Sequence, residues 1–171
     1  MKISIMRKLS LLTLIFVLVG ACALLFASCA KEEPTESVTL TYTEEDEVIT
    51  ITGYEGVLAD GQTLTIPSAI DGKKVGAIAA AAFAEREDLT SVFIPASVSA
   101  IGEGAFENCK NLKTVNIPIF VSVIEAKTFE GCESLEKVSL PASVTAIGER
   151  AFLGCNLAHK KGTVKQPFKI A

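Results

Sequence analysis

The sequence predicts a β-rich solenoid of about four 23-residue repeats, on three observations. The first is period: Phe83, Phe106, Phe129 and Phe152 stand 23 residues apart, as do Ile78, Ile101, Ile124 and Ile147. Leu89, Leu112 and Leu135 keep that phase, and so do Val92, Val115 and Val138, Pro95, Pro118 and Pro141, and Cys109, Cys132 and Cys155. The second is identity: residues 89–111 match residues 135–157 at 13 of 23 positions and the copy between them at 10. The third is the pattern inside each copy, in which a short apolar stretch ends in Pro and a Phe returns a dozen residues later. One such unit cannot bury its apolar face alone, so the units must stack.

Each copy reads in the same order. Leu-x-x-Val-x-Ile-Pro is a short parallel strand, ended by a proline that has no N–H to give a ladder. Val-x-x-Ile then crosses to the other side. Glu-x-Ala-Phe-x-x-Cys has the spacing of one helical or 3-10 turn. Rungs about 4.8 Å apart would lay each Phe on the Phe above and below. The solenoid is expected over residues 64–157. Its earliest copy begins at Leu64 and carries five extra residues around Asp71-Gly72-Lys73-Lys74.

Ahead of the solenoid, residues 38–63 are expected to form an N-terminal cap. Val38, Leu40 and Tyr42 alternate with Thr39, Thr41 and Thr43, Glu44-Glu45-Asp46-Glu47 makes a turn, and Val48–Thr52 returns, which is a β-hairpin. Four acids in a row lack the spacing of a calcium loop and read as a solvated turn. After the solenoid, residues 158–171 carry four lysines and no acid. This basic tail is either a folded-back capping strand through Val164, Phe168 and Ile170 or an unstructured end, such as a repeat array cut short would leave.

The first 28 residues have a separate logic. Lys2, Arg7 and Lys8 precede an uncharged apolar run, residues 11–27, that ends in small residues. This is the pattern of a secretory signal, with an uncleaved anchor helix as the alternative, since the run is about one bilayer span long. Phe26-Ala27-Ser28-Cys29 resembles the lipobox of bacterial lipoproteins, which makes Cys29 the expected lipidation site. Cys22 fits the same pattern, but cutting there would leave Ala23–Ala27 as an apolar stub. Residues 29–37 turn polar at once and read as a flexible tether. Lys31-Glu32-Glu33 within it resembles a surface-export signal of some Gram-negative lipoproteins.

The repeat pattern Leu-x-x-Ile-x-Leu-Pro-x-x-Leu-x-x-Ile-Gly-x-x-Ala-Phe-x-x-Cys resembles the BspA-type leucine-rich repeat. Three copies fit it over residues 89–157, and a fourth fits with its insertion. The departures are Thr128 for the Ala before Phe, Glu125 for the Gly after Ile, and Arg86 for the first Cys. The resemblance implies a surface-exposed protein that binds proteins or host surfaces. It also implies that Cys109, Cys132 and Cys155 are buried small apolar residues rather than a disulfide or metal ladder.

Composition narrows the function classes. Without residues 1–28 the chain carries 13 basic against 20 acidic side chains, which argues against a nucleic-acid partner. His159 is the only histidine and lies among the tail lysines, so no acyl-transfer triad can be assembled around a central His. No zinc, phosphate-loop or nucleophile-elbow motif occurs. Glu103 and Glu149 occupy equivalent positions two rungs apart and read as solvated side chains. Neither an enzyme nor a cofactor is expected.

What remains is surface. Phe93 stands where sister copies hold Asn116 and Ser139, and Ile119-Phe120 replaces Ala96-Ser97 and Ala142-Ser143. Phe93, Asn116, Ile119 and Phe120 are therefore the candidate binding residues, with local packing against the loops as the alternative for the two phenylalanines. The expectation is a lipid-anchored adhesion or binding module at the outer-membrane surface, with a protein or glycan ligand. The alternative is a structural subunit of a cell-envelope assembly.

Overall fold

A computed structural model describes residues 38–157. The signal segment, the tether with Cys29, and the tail with His159 and its capping strand lie outside the described residues.

β1 (Thr39–Glu45) and β2 (Val48–Glu55) form the antiparallel hairpin that the alternation predicts. Asp46 and Glu47 alone connect them, with φ of 50° and 63°, a two-residue connection whose twist suits the flanking strands. The turn is shorter than the four acids suggest, because Glu44 and Glu45 belong to β1. Ile49 and Ile51 of β2 face the core.

β3 (Thr63–Thr65) opens the first rung. The five extra residues make room for a second hairpin, β4 (Ala69–Ile70) with β5 (Lys73–Ile78), closed at Asp71-Gly72 with both residues at positive φ. The next rungs contribute β6 (Ser91–Phe93) and β7 (Ala100–Ile101), β8 (Thr114–Asn116) and β9 (Val123–Ile124), and β10 (Lys137–Ser139) and β11 (Ala146–Ile147).

One sheet is wholly parallel in the order β10-β8-β6-β3, with Leu64 beside Val92, Val92 beside Val115, and Val115 beside Val138. A second sheet joins the hairpin to the stack: β2 runs parallel to β5, and β5 to β7. It stops there, and β9 pairs only with β11. Glu125 accounts for the break. Its equivalents Gly102 and Gly148 lie so close to the preceding rung that an added Cβ would come 2.5 Å from Ala80 N and 2.4 Å from Ala126 N, respectively. A side chain at Glu125 cannot make that approach. The bonds Gly102 N–H to Ile78 O and Gly148 N–H to Ile124 O have no counterpart at Glu125.

The expected helical or 3-10 turns are absent among the described residues. In their place are irregular turns whose N–H groups alternate in direction. Phe83, Phe106 and Phe129 donate to Ala105, Thr128 and Ala151 of the next rung at 2.8–2.9 Å. Their neighbours, such as Ala82 to Ala79 and Ala84 to Ala81, close bonds within the turn. Two residues per rung, four apart, reach this alternation through positive φ: Ala81 and Glu85, Gly104 and Asn108, Lys127 and Gly131, Arg150 and Gly154. A helix would spend all these donors internally and leave the rungs unjoined.

The core runs down the stack as a column of rings. Phe83–Phe106, Phe106–Phe129 and Phe129–Phe152 have centroids 5.2, 5.4 and 5.4 Å apart. Tyr54 of β2 continues the column upward at 5.9 Å from Phe83. The in-phase cysteines lie beside it. Cys109 and Cys132 are buried and Cys155 half-buried, all as free thiols. Each thiol donates to a Phe carbonyl of the preceding rung, Phe83, Phe106 and Phe129, at 2.9–3.1 Å. Burial pushes the Cys109 thiol up to about 12 and Cys155 to about 11, so neither is a ready nucleophile.

Candidate functional site

Of the large apolar side chains exposed among the described residues, which also include Val48, Val57 and Leu153, three are the candidates that the repeat comparison singles out. Phe93 projects from β6 and is 51% exposed. Its neighbour Val92 is buried because side chains on a strand alternate between faces. Ile119 and Phe120 are 62% and 63% exposed. They occupy the two corners of a four-residue turn closed by Val121 N–H to Pro118 O at 3.1 Å. The same turn recurs at Pro95–Val98 and Pro141–Val144 with the same 3.1 Å bond. The first corner is exposed in each copy, at Ala96, Ile119 and Ala142, whereas the second is half-buried as Ser97 and Ser143 and exposed as Phe120, so the turn accepts either pair. The two phenylalanines thus keep at least half their surface in water, where full packing against the loops would have buried them.

Asn116 lies on the same side, in β8, half-buried. Its carboxamide is already engaged: Oδ1 accepts from Ile94 N–H at 2.8 Å and Nδ2 donates to Ile94 O at 2.7 Å. This clamps the backbone immediately after Phe93. Ser91 and Thr114 share a 2.8 Å hydroxyl bond along the same sheet.

A second feature of this side comes from all three rungs together. Residues 93–101, 116–124 and 139–147 contain no charged residue. The opposite turns carry the charges, including Glu103, Glu107, Lys127, Glu130, Glu149 and Arg150. The repeat alignment holds this signal, but only once the charges are counted by edge.

The other polar cluster is structural. Arg86 sits at the phase of the missing Cys. Its guanidinium carbon lies 3.7 Å from the Tyr54 ring centroid, and it donates to Gly56 O at 2.6 Å and to both Asp88 oxygens at 3.0 Å. Asp88 also accepts from Tyr54 Oη and Leu58 N–H, each at 2.9 Å. Burial opposes ionisation of Asp88, but the Leu58 N–H, Arg86 and Tyr54 outweigh it and hold the carboxyl below its ordinary value of 3.8. Burial pushes the Tyr54 hydroxyl up to about 12. The five groups tie the hairpin's end to the first rung. Sequence reasoning missed Tyr54 because the insertion puts it outside the 23-residue phase.

Glu103 and Glu149 are both exposed. Among the described residues no group of three or more His, Cys, Asp or Glu side chains could hold a metal ion.

A wholly parallel ladder, a second ladder broken between β7 and β9, and an in-phase Phe column define a leucine-rich repeat solenoid, a class of protein-interaction module. The BspA type leucine rich repeat region matches residues 62–165 in six copies, and the chain belongs to that family. Solved structures of leucine-rich repeat proteins resemble it. One from Bacteroides ovatus is 32% identical, with a TM-score of 0.63, over 74% of this chain and 34% of that one. One from T. pallidum is 33% identical, with a TM-score of 0.63, over 75% of this chain and 59% of that one. One from Bacteroides capillosus is 26% identical, with a TM-score of 0.61, over 77% and 94%. The chain thus spans about a third of the first protein's length and 59% of the second's. No curated protein matches it.

Proposed function

We propose that this protein is a surface-anchored binding module of the bacterial cell envelope. A lipid on Cys29 holds it at the membrane. It engages a protein or glycan on a host or neighbouring surface through the side that carries Phe93, Ile119 and Phe120, with Asn116 fixing the chain beside Phe93. The observation that carries this reading is the exposure of three large apolar side chains at phases where sister copies hold small or polar residues. The fold does not require them, and aromatic side chains are enriched among the residues that dominate interface energy. The test is a Phe93→Ser, Phe120→Ser double variant whose melting curve is first shown to be unchanged. Loss of binding to envelope or matrix proteins by about 2 kcal/mol or more is expected. Undiminished binding would place the contact elsewhere. The anchor is tested separately: Cys29→Ser should abolish acyl-label incorporation, and labelling lost only in Cys22→Ser would move the site to Cys22.

A further inference from the structure

We infer that the partner on the uncharged side is a neutral glycan, engaged by the rings of Phe93 and Phe120. The inference rests on the reading of that side as a contact surface and names the chemistry of its ligand. The first argument is the kind of group presented. Residues 93–101, 116–124 and 139–147 carry no charge. They offer two exposed phenyl rings, the branched side chain of Ile119, and exposed hydroxyls in phase, one per rung, at Ser99, Ser122 and Thr145. Ser99 and Thr145 donate only long bonds, 3.4 Å to Gly76 O and 3.3 Å to Ser122 O. A sugar ring has a C–H face that is slightly positive and a rim of hydroxyls. The negative face of a phenyl ring attracts the first. Uncharged hydroxyls pair with the second without stripping water from an ion. A sialylated or sulfated glycan would find no counter-charge here. Lys137 is exposed at the opening of β10, two rungs from Phe93 and two residues before Ser139, so it borders the strip rather than lining it.

The second argument is size and shape. Three rungs at strand spacing, roughly 20 Å wide, give a strip on the order of 300 Å². A stable protein complex buries ~800 Å² on each partner, so the strip is small for a folded protein. It also turns a corner. Phe93 stands on the strand face of β6, Ile119 and Phe120 on the turn after β8, and Ser99, Ser122 and Thr145 beyond that turn, at the approach to β7, β9 and β11. A bent strip suits a narrow chain that can follow it. Phe120 lies one rung on from Phe93 and four residues past Asn116, the in-phase neighbour of Phe93. Four residues span at most about 14 Å, so a short run of linked sugars reaches both rings.

Two rings and a few hydroxyls hold a single site weakly. Strength comes from number: copies clustered on one surface meet a glycan that repeats along another, and linked weak contacts multiply.

The experiment uses the purified full-length chain, coupled at high density to beads, on a printed panel of probes. The panel holds neutral oligosaccharides and polysaccharides, sialylated and sulfated glycans, and matrix proteins stripped of their sugars. Retention on the neutral glycans alone is expected, unchanged between low and high salt because no ion pair forms. Phe93→Leu with Phe120→Leu keeps apolar bulk but removes both rings, and should lower retention at least about tenfold. Phe93→Tyr with Phe120→Tyr keeps the rings and should preserve it. Retention on charged glycans only, loss of retention in high salt, or retention undiminished in the leucine pair would overturn the assignment of a neutral glycan to the rings. Retention on stripped proteins equal to or above that on neutral glycans would overturn the glycan and leave the contact surface standing. Retention on nothing would overturn both.

Discussion

Replacing Phe106 by Ala tests the repeat register and its energetics together. Phe106 is completely buried, between Phe83 at 5.2 Å and Phe129 at 5.4 Å, with rings inclined by only 22° and 5°. Removing the ring forfeits its transfer free energy and leaves a cavity whose walls are held apart by backbone bonds on both sides, Phe83 N–H to Ala105 O at 2.8 Å and Phe106 N–H to Thr128 O at 2.9 Å. The site cannot collapse easily, so the cost belongs in the range of about 3–5 kcal/mol for buried aromatics. Phe152, on the last described rung, is only half-buried and, among the described residues, stacks on a single ring, Phe129. Its truncation should cost about half as much. Urea titration of the two variants checks this, read as a shift of midpoint at constant slope. Equal shifts from Phe106→Ala and Phe152→Ala, or a Phe106 cost below about 1.5 kcal/mol, would refute a ring column closed on one side and open on the other.

Other expectations follow from particular contacts. Asp88→Ala should cost about 2 kcal/mol, because it strands Arg86, Tyr54 Oη and the Leu58 N–H. Because the carboxyl of Asp88 is held below its ordinary value in the folded chain, its stabilisation is complete above the ordinary carboxylate range and is lost as pH falls through that range and below. Denaturation titrated with acid should therefore show a component that the variant lacks, and an identical acid profile would count against the clamp. Glu125→Gly should stabilise the fold by about 1 kcal/mol by letting the third rung close on the second; an unchanged or lower midpoint would mean that something other than the Glu125 side chain keeps β7 and β9 apart. Ser97 Oγ is buried and has no hydrogen-bond partner, whereas the equivalent Ser143 Oγ bonds Val121 O at 2.8 Å. Ser97→Ala should accordingly be neutral or stabilising by up to ~1 kcal/mol, and Ser143→Ala should destabilise by a similar amount; the opposite order in calorimetry would contradict the assignment.

The amino-acid sequence alone determined the period, the parallel strands, the hairpin at the N-terminal end and the Phe column, because each follows from apolar residues recurring in phase. It also placed Phe93, Ile119 and Phe120 outside the repeat's needs by comparison between copies. Only the tertiary structure decided how the turns are built. The spacing from Glu103 to Cys109 suits a helix, yet those backbone N–H groups find better use joining one rung to the next, and no single copy can reveal a bond made between copies. The same holds for Arg86, which in one dimension is merely a Cys that failed to recur and in three dimensions reaches Tyr54, Gly56 and Asp88. Asn116 reads as a free polar residue until its carboxamide is seen closing on Ile94. Glu125 reads as a tolerated substitution until the clearance at Gly102 and Gly148 shows that a Cβ there must part the sheet. In each case the deciding quantity is distance across the stack, which a periodic sequence implies for the residues in phase and leaves open for the ones that depart from it.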